Sequence, residues 1–224
     1  MVSSDTKLTV FGYSSSQPSR ALWAFCDLAG IPHEKKVIDL SKGQQRSPEY
    51  KAINPAGCVP AILEETPGQP NFLLGESHAC MRYLARSRGV ADHWYPSDLR
   101  KRAKVERYLD SHHSGLRDCI AGYIKRKFFG VEGPHTEEFL QSILDKQAVV
   151  FAELEKILET QEYLAGDEIS IADISAAMEL EQSQIMGGVP AAYPKLEAWR
   201  VKVLDGNPEC AKILEPWRAL AAGY

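Results

Sequence analysis

The rhythm of hydrophobic and polar positions changes along this chain of 224 residues. The first third mixes two periods. Leu8, Thr9, Val10 and Phe11 form a short β-rich run that predicts a strand over 7–13. Ala21, Leu22, Phe25, Leu28 and Ala29 then recur at helical spacing behind Pro18, until Gly30, Ile31 and Pro32 end the element. Residues 35–40 read as a second strand. Ser47, Pro48 and Glu49 have the order of an N-cap followed by a proline in the first helical turn, so a short helix should follow. Two apolar runs, 59–63 and 72–74, flank the turn-rich Thr66, Pro67, Gly68, Gln69 and Pro70 and read as a hairpin, and 77–86 reads as a helix.

Over 88–98 the periodicity lapses into Gly89, Asp92, His93, Trp94, Tyr95 and Pro96, the composition of a linker. Beyond it every pattern is helical. Leu99, Ala103, Leu109, Leu116 and Ile120 predict one long helix, and Phe139, Ile143, Leu144, Phe151, Leu154 and Leu158 predict another. Ser170 and Asp173 stand at the spacing of a capping box, with Ile169 and Ile174 as its hydrophobic staple. Two shorter helices fit 194–204 and 208–218, and there is no internal repeat. The expected fold is α/β plus all-α, with an α/β domain over 1–87, a linker over 88–98 and an all-helical domain over 99–224.

Composition narrows the function without choosing it. With 44% hydrophobic and 25% charged residues the chain is globular in character, not disordered or fibrous. Lysine plus arginine number 26 against 30 aspartates and glutamates, a net charge of −4, which argues against holding nucleic acid by phosphate neutralisation. Five cysteines, odd in number and without a CxxC pair, indicate neither a disulfide framework nor a zinc site, and fit a reducing compartment. Residues 1–5 are polar and acidic where a signal peptide needs basic then apolar residues, and no apolar run reaches the length of a membrane span. The ending Ala221, Ala222, Gly223, Tyr224 is neither a peroxisomal address nor a prenylation box. A cytoplasmic protein without membrane or nucleic-acid partners is the expectation.

Three places could carry chemistry. The loop Tyr13, Ser14, Ser15, Ser16, Gln17 joins a strand to a helix, so its hydroxyls meet free amides and the positive end of a helix dipole, worth about 0.3–1 kcal/mol to an anion. The plainer reading is that Ser16 is an N-cap and Ser14 and Ser15 fill a polar loop. Pro60 stands inside a strand-like run where it cannot donate to a ladder. A cis peptide after Val59 would present the Val59 backbone to an extended peptide, whereas a trans proline would mark an edge strand; both readings stay open. Glu76 and Ser77 directly precede a helix, where the serine either caps it or receives a carboxylate. His112 and His113 are neighbours on a helix, point in different directions and lack a third ligand, so they do not read as a metal pair. Glu106 and Asp110, at i and i+4, read as solvated or interface charge.

In this order these pieces resemble the cytosolic glutathione transferases, and the theta class most. The similarity rests on Ser16 to Ala21, Asn54-Pro55 through Val59-Pro60-Ala61, Glu76-Ser77-His78-Ala79 with Arg82-Tyr83-Leu84, Trp94-Tyr95-Pro96, Arg102 to Val105 with Tyr108-Leu109-Asp110, and Ser170 to Asp173. It spans roughly residues 7–204. It implies a thioredoxin-like N-terminal domain, an all-helical C-terminal domain and a homodimer, with glutathione as co-substrate and no metal. It implies that the serine matching Ser16 hydrogen-bonds the glutathione sulfur as the catalytic group. Glu76 and Ser77 would meet the γ-glutamyl end, Val59 and Pro60 the cysteinyl backbone, and Gln45 and Cys58 the glycyl end. The family often has a lysine at the position of Cys58, so the cation is missing here. Tyr13 and Arg117 would line the electrophile site; the plainer reading of Arg117 is a solvated side chain, and Arg20 reads as a structural or interface contact. Theta-class chains usually run on past this length into a helix over the active site, so a more open electrophile pocket is expected. The implied activity is conjugation of glutathione thiolate to small electrophiles in detoxification, with peroxidase activity on organic hydroperoxides beside it. A non-catalytic carrier of apolar ligands is the alternative. A glutathione-dependent reductase would need cysteine in place of Ser16.

Overall fold

The computed structural model describes residues 5–131 and 136–223. The readings made on residues 1–4 and on Tyr224 lie outside them. A four-stranded sheet has the order β2-β1-β3-β4, built from β1 (Lys7–Gly12), β2 (Glu34–Val37), β3 (Ala61–Glu65) and β4 (Phe72–Gly75). β1 and β2 run parallel, and β3 lies antiparallel to both β1 and β4. The crossover between β1 and β2 is α1 (Gln17–Leu28); α2 (Pro48–Lys51) follows β2, and α3 (Ser77–Ser87) follows β4. This is the thioredoxin-like arrangement. β1 alternates as a two-faced strand must: Leu8 and Val10 join the core of α1 and α3, while Phe11 joins Tyr50 and Ile38 on the opposite face.

Several strand and helix bounds differ from the sequence pattern, among them the end of β1 at Gly12 and of α9 at Ala221. β2 starts and ends earlier than 35–40, because Asp39 caps a 3-10 turn with its carboxylate on the Ser41 amide at 3.0 Å. β3 begins at Ala61 instead of residue 59, since Pro60 has no N–H to give the ladder. The single helix expected from Leu99 to Ile120 is two, α4 (Leu99–His112) and α5 (Leu116–Lys127). Gly115 breaks it at φ −102°, ψ −107°, with its N–H on the Ser111 carbonyl at 2.9 Å; a Cβ there would crowd that oxygen at 3.0 Å. Leu99, counted among the apolar positions, is 75% exposed, and α4 buries Val105, Tyr108, Leu109 and His112 instead.

The remaining helices are α6 (Glu137–Leu158), α7 (Ile171–Leu180), α8 (Pro194–Leu204) and α9 (Pro208–Ala221). α7 is buried along its whole length and starts in the expected capping box: Ser170 N donates to the Asp173 carboxylate at 2.9 Å and Ala172 N to Ser170 Oγ at 3.3 Å. One hydrophobic core runs from Leu8 and Val10 through α1, across α7, to Trp217 of α9. Nine of the twelve residues of α1 are buried, because α1 is packed by the sheet on one side and by α7 and α9 on the other.

Candidate active site

Sheet register brings the three candidate segments to one edge. Phe11 pairs with Ala61, and Ala61 pairs with Gly75. The loop after β1, the residues just before β3 and the residues just after β4 therefore leave the same end of three adjacent strands, spaced by about 4.8 Å each. Tyr13 to Ser16, Val59-Pro60 and Glu76-Ser77 share that edge. The join is tight at Gly12, where a Cβ would lie 2.6 Å from the Trp23 ring of α1, so glycine lets the strand end seat against the helix.

Ser16 occupies the N-cap position of α1, with extended backbone at φ −85°, ψ 112°. Its backbone does the work of a cap: Ser16 O accepts from Ser19 N and Arg20 N, and Ser16 N donates to Tyr13 O at 3.0 Å. Its hydroxyl makes no capping hydrogen bond, and the residue is half-buried. The plainer N-cap reading thus holds for the main chain and fails for the side chain, which leaves an uncommitted O–H at the positive end of α1. Ser14 is tied down differently. Its carbonyl accepts from Arg20 Nη1 at 2.8 Å, and the fully buried Arg20 guanidinium stacks 4.8 Å from the Trp217 ring centre. Burial lowers the Arg20 pKa to about 10, against the pull of Glu179 and Glu181. Arg20 is a structural contact, one that anchors the serine loop.

The Val59–Pro60 peptide is cis, which settles the alternative that the sequence left open. The segment ahead of it is pinned by its neighbours: the Cys58 carbonyl accepts from the Tyr50 hydroxyl and from Asn54 Nδ2, both at 2.8 Å. Asn54 also lies against β4, where a Cβ on Gly75 would sit 3.2 Å from its Nδ2. Gln45 is beside the same loop, with its carbonyl 3.0 Å from where a Gly57 Cβ would be, and its buried side-chain Oε1 has no partner. Cys58 is exposed, its Sγ 3.6 Å from the Ala56 carbonyl. The other four cysteines are buried, and burial pushes their thiols up, to about 12 for Cys80 and Cys210.

Glu76 is the one non-glycine residue with positive φ among the described residues, at φ 65°, ψ 111°, and it is exposed at the N-cap of α3. A bulky side chain in that conformation is uncommon and clusters at functional positions. Its side chain makes no capping bond, and Ser77 behind it is buried at the first helical position.

Arg117 is one quarter exposed and reaches toward the same edge from α5. Its Nη1 donates to Gln17 Oε1 at 2.9 Å and to the buried carboxylate of Glu179 at 2.8 Å. Burial raises the Glu179 carboxyl and the Arg117 charge draws it back. Arg117 is therefore neither a loose surface cation nor free of a counter-charge. Tyr13 is half-buried in the serine loop. The sequence reading missed Gln17, Asn54 and Glu179 as organisers. A carboxylate inside the apolar run of α7 was the available signal for Glu179, because a buried acid needs a partner.

The rings of His78, His112 and His113 cluster at 5.0–5.5 Å, with His112 Nδ1 on the Tyr108 hydroxyl at 3.0 Å. Among the described residues no group of three or more histidines, cysteines or acids could hold a metal ion. Glu106 accepts from the Tyr95 hydroxyl and Asp110 pairs with Arg82 at 2.6 Å, so these two acids have separate partners.

Comparison with known proteins points one way. The family models described as "Glutathione S-transferase, N-terminal domain" and "Glutathione S-transferase, C-terminal domain" match residues 15–87 and 116–205. The chain is 39% identical to glutathione S-transferase T1 of Arabidopsis thaliana over 211 residues, covering 86% of this chain and 81% of that protein. It superposes on human glutathione transferase theta-2 in complex with glutathione and an unknown ligand, with a TM-score of 0.84 and 32% identity, covering 96% of this chain and 89% of the other. A human theta-class transferase in complex with the glutathione conjugate of 1-menaphthyl sulfate matches with a TM-score of 0.80 and 32% identity over 97% of this chain and 91% of that one.

Proposed function

The chain belongs to the glutathione S-transferase family, and on that premise we propose how its residues divide the work, with Ser16 as the group that keeps the glutathione sulfur ionised. The protein is a glutathione transferase of theta type that joins glutathione to small electrophiles. One observation carries the assignment of Ser16: it stands where a capping side chain belongs, yet its hydroxyl is uncommitted and half-buried. A free thiol has a pKa of about 8.5, and lowering it by about two units needs roughly 2.7 kcal/mol of preference for the thiolate. A hydroxyl donating to the anion supplies about 1.5–3 kcal/mol, and the dipole of α1 adds to it.

In this reading residues 1–87 form the glutathione-binding domain, 88–98 the link, and 99–224 the domain that adds the electrophile site. Glu76 and Ser77 take the γ-glutamyl ammonium and carboxylate. The Val59 backbone, held ahead of Pro60, pairs with the cysteinyl residue, and Gln45 and Cys58 meet the glycyl end. The thiol proton leaves to solvent; the thiolate then forms the S–C bond as the C–leaving-group bond breaks with its electron pair. Tyr13 and Arg117 border the electrophile, where Arg117 steadies the departing anion. Organic hydroperoxides are a second substrate class. A homodimer and a cytoplasmic location complete the proposal; no helix among the described residues is long and apolar enough to cross a membrane.

The test is an ultraviolet titration of bound glutathione, since thiolate absorbs and thiol does not. The wild type should ionise the sulfur about two pH units below free glutathione, and Ser16→Ala should return it most of the way to the value in buffer, leaving the share of the α1 dipole. An unshifted wild-type titration overturns the role of Ser16, as does loss of the shift in Ser14→Ala with Ser16→Ala unaffected.

A further inference from the structure

The two segments proposed to hold the sulfur and the γ-glutamyl end of glutathione are each followed by a buried side chain that reaches out of the α/β part. Gln17 follows Ser16, and His78 follows Ser77. Both end on one residue of α7: Gln17 Nε2 donates to the Ser175 carbonyl at 2.8 Å, and His78 Nε2 lies 2.7 Å from Ser175 Oγ. All three residues are less than 10% exposed.

Burial lowers the His78 pKa to about 3, so the ring is neutral, and its Nε2 and the Ser175 hydroxyl share one hydrogen bond. The Gln17 amide is held from its other end, since Oε1 accepts from Arg117 Nη1 at 2.9 Å. A serine inside a helix usually turns back to the carbonyl one turn earlier, but this hydroxyl crosses to α3 instead.

We propose that Ser175 is a positioning residue that sets the distance between the thiol-binding and the γ-glutamyl-binding ends of the site, through its carbonyl to Gln17 and its hydroxyl to His78. The proposal rests on the assignment of Ser16 and Ser77 given above. A tripeptide held at its sulfur and at its γ-glutamyl end binds tightly only if the two grips keep their spacing, and bonding both to one point of a rigid helix does that.

Ser175→Ala removes the tie to α3 and leaves the tie to α1. Its KM for glutathione should rise about fivefold, the equivalent of one neutral hydrogen bond, with kcat at saturation and the pKa of the bound thiol unchanged. Ser175→Thr, which keeps the hydroxyl, should restore KM. In a Ser77→Ala background the Ser175→Ala effect should vanish, because it acts through that segment. His78→Phe removes the ring nitrogen from the other side and should show the same split, so the question stays answerable if Ser175→Ala does not fold. The proposal is overturned if Ser175→Ala leaves KM at the wild-type value while Ser77→Ala raises it, if threonine does not rescue, or if the two effects simply add. If Ser77→Ala itself leaves KM unchanged, the assignment of the γ-glutamyl site is what fails, and the proposal falls with it.

Discussion

Among the described residues three α-helices have a serine at the N-cap, Ser16, Ser47 and Ser170, and the first and the last of them differ in the use of the side chain. At the start of α7, Ser170 is 2% exposed and its hydroxyl is fully engaged, accepting from Ala172 N and donating to Asp173. At the start of α1, Ser16 has the same backbone role and an idle hydroxyl. The first arrangement stabilises a helix at the centre of the core. The second forgoes about 1 kcal/mol of capping and leaves the hydroxyl without a capping bond, the donor that the proposed assignment gives to the glutathione sulfur. Residue type and position do not separate a structural serine from a functional one; the partners of its side chain do.

The sharpest way to break that contrast is at Asp173, which is fully buried and accepts from Leu164 N, Ser170 N, Ser170 Oγ and Trp199 Nε1. Asp173→Ala strands those donors and should cost about 3 kcal/mol in urea unfolding, with near-normal turnover per folded molecule. Ser16→Ala should do the reverse: a loss of about a hundredfold in kcat/KM at neutral pH, roughly 2.7 kcal/mol, with a melting temperature close to that of the wild type. A melting temperature that drops as far as that of Asp173→Ala would end the distinction between the two helix starts. Acid should act on the structural side of the contrast. The His78 ring is held neutral down to about pH 3 when folded, whereas an unfolded histidine protonates near 6.5. Between those values the unfolded chain binds the extra proton, so stability falls as the pH drops, by up to about 1.4 kcal/mol per pH unit for this group. Burial also depresses His112 and adds to the slope. Comparing urea midpoints at pH 7 and pH 5.5, with His78→Phe flattening the difference, checks it. The smallest effect belongs to Ser170→Ala, about 1 kcal/mol of stability and no change in the bound-thiol titration.

Much of this was legible in the residues. Alternation in Leu8 to Phe11, the proline and serine at the starts of α1 and α2, and the Ser170 to Asp173 spacing are local signals, and local backbone chemistry decides what they describe. Gly115 shows the limit: apolar spacing carried the predicted helix straight through a residue whose backbone breaks it. At the site, the segments around Ser16, Pro60 and Glu76 could be picked out because each breaks a local pattern. Their convergence could not, since it depends on the Phe11, Ala61 and Gly75 register. The ties of Gln17, Arg20 and Arg117 span up to 158 residues and leave no mark in the spacing of the chain.

The seat of α1 between the sheet and α7 has a consequence for anyone who would divide or recombine this protein. A fragment ending near residue 87 would expose the side of α1 that α7 and α9 cover, with Arg20 losing Trp217 and Phe25 losing Trp94, and should aggregate rather than bind its ligand. A chimera that grafts a foreign helical half must reproduce the surface into which this helix fits, so altering substrate choice by exchanging whole halves is harder here than altering it at the pocket.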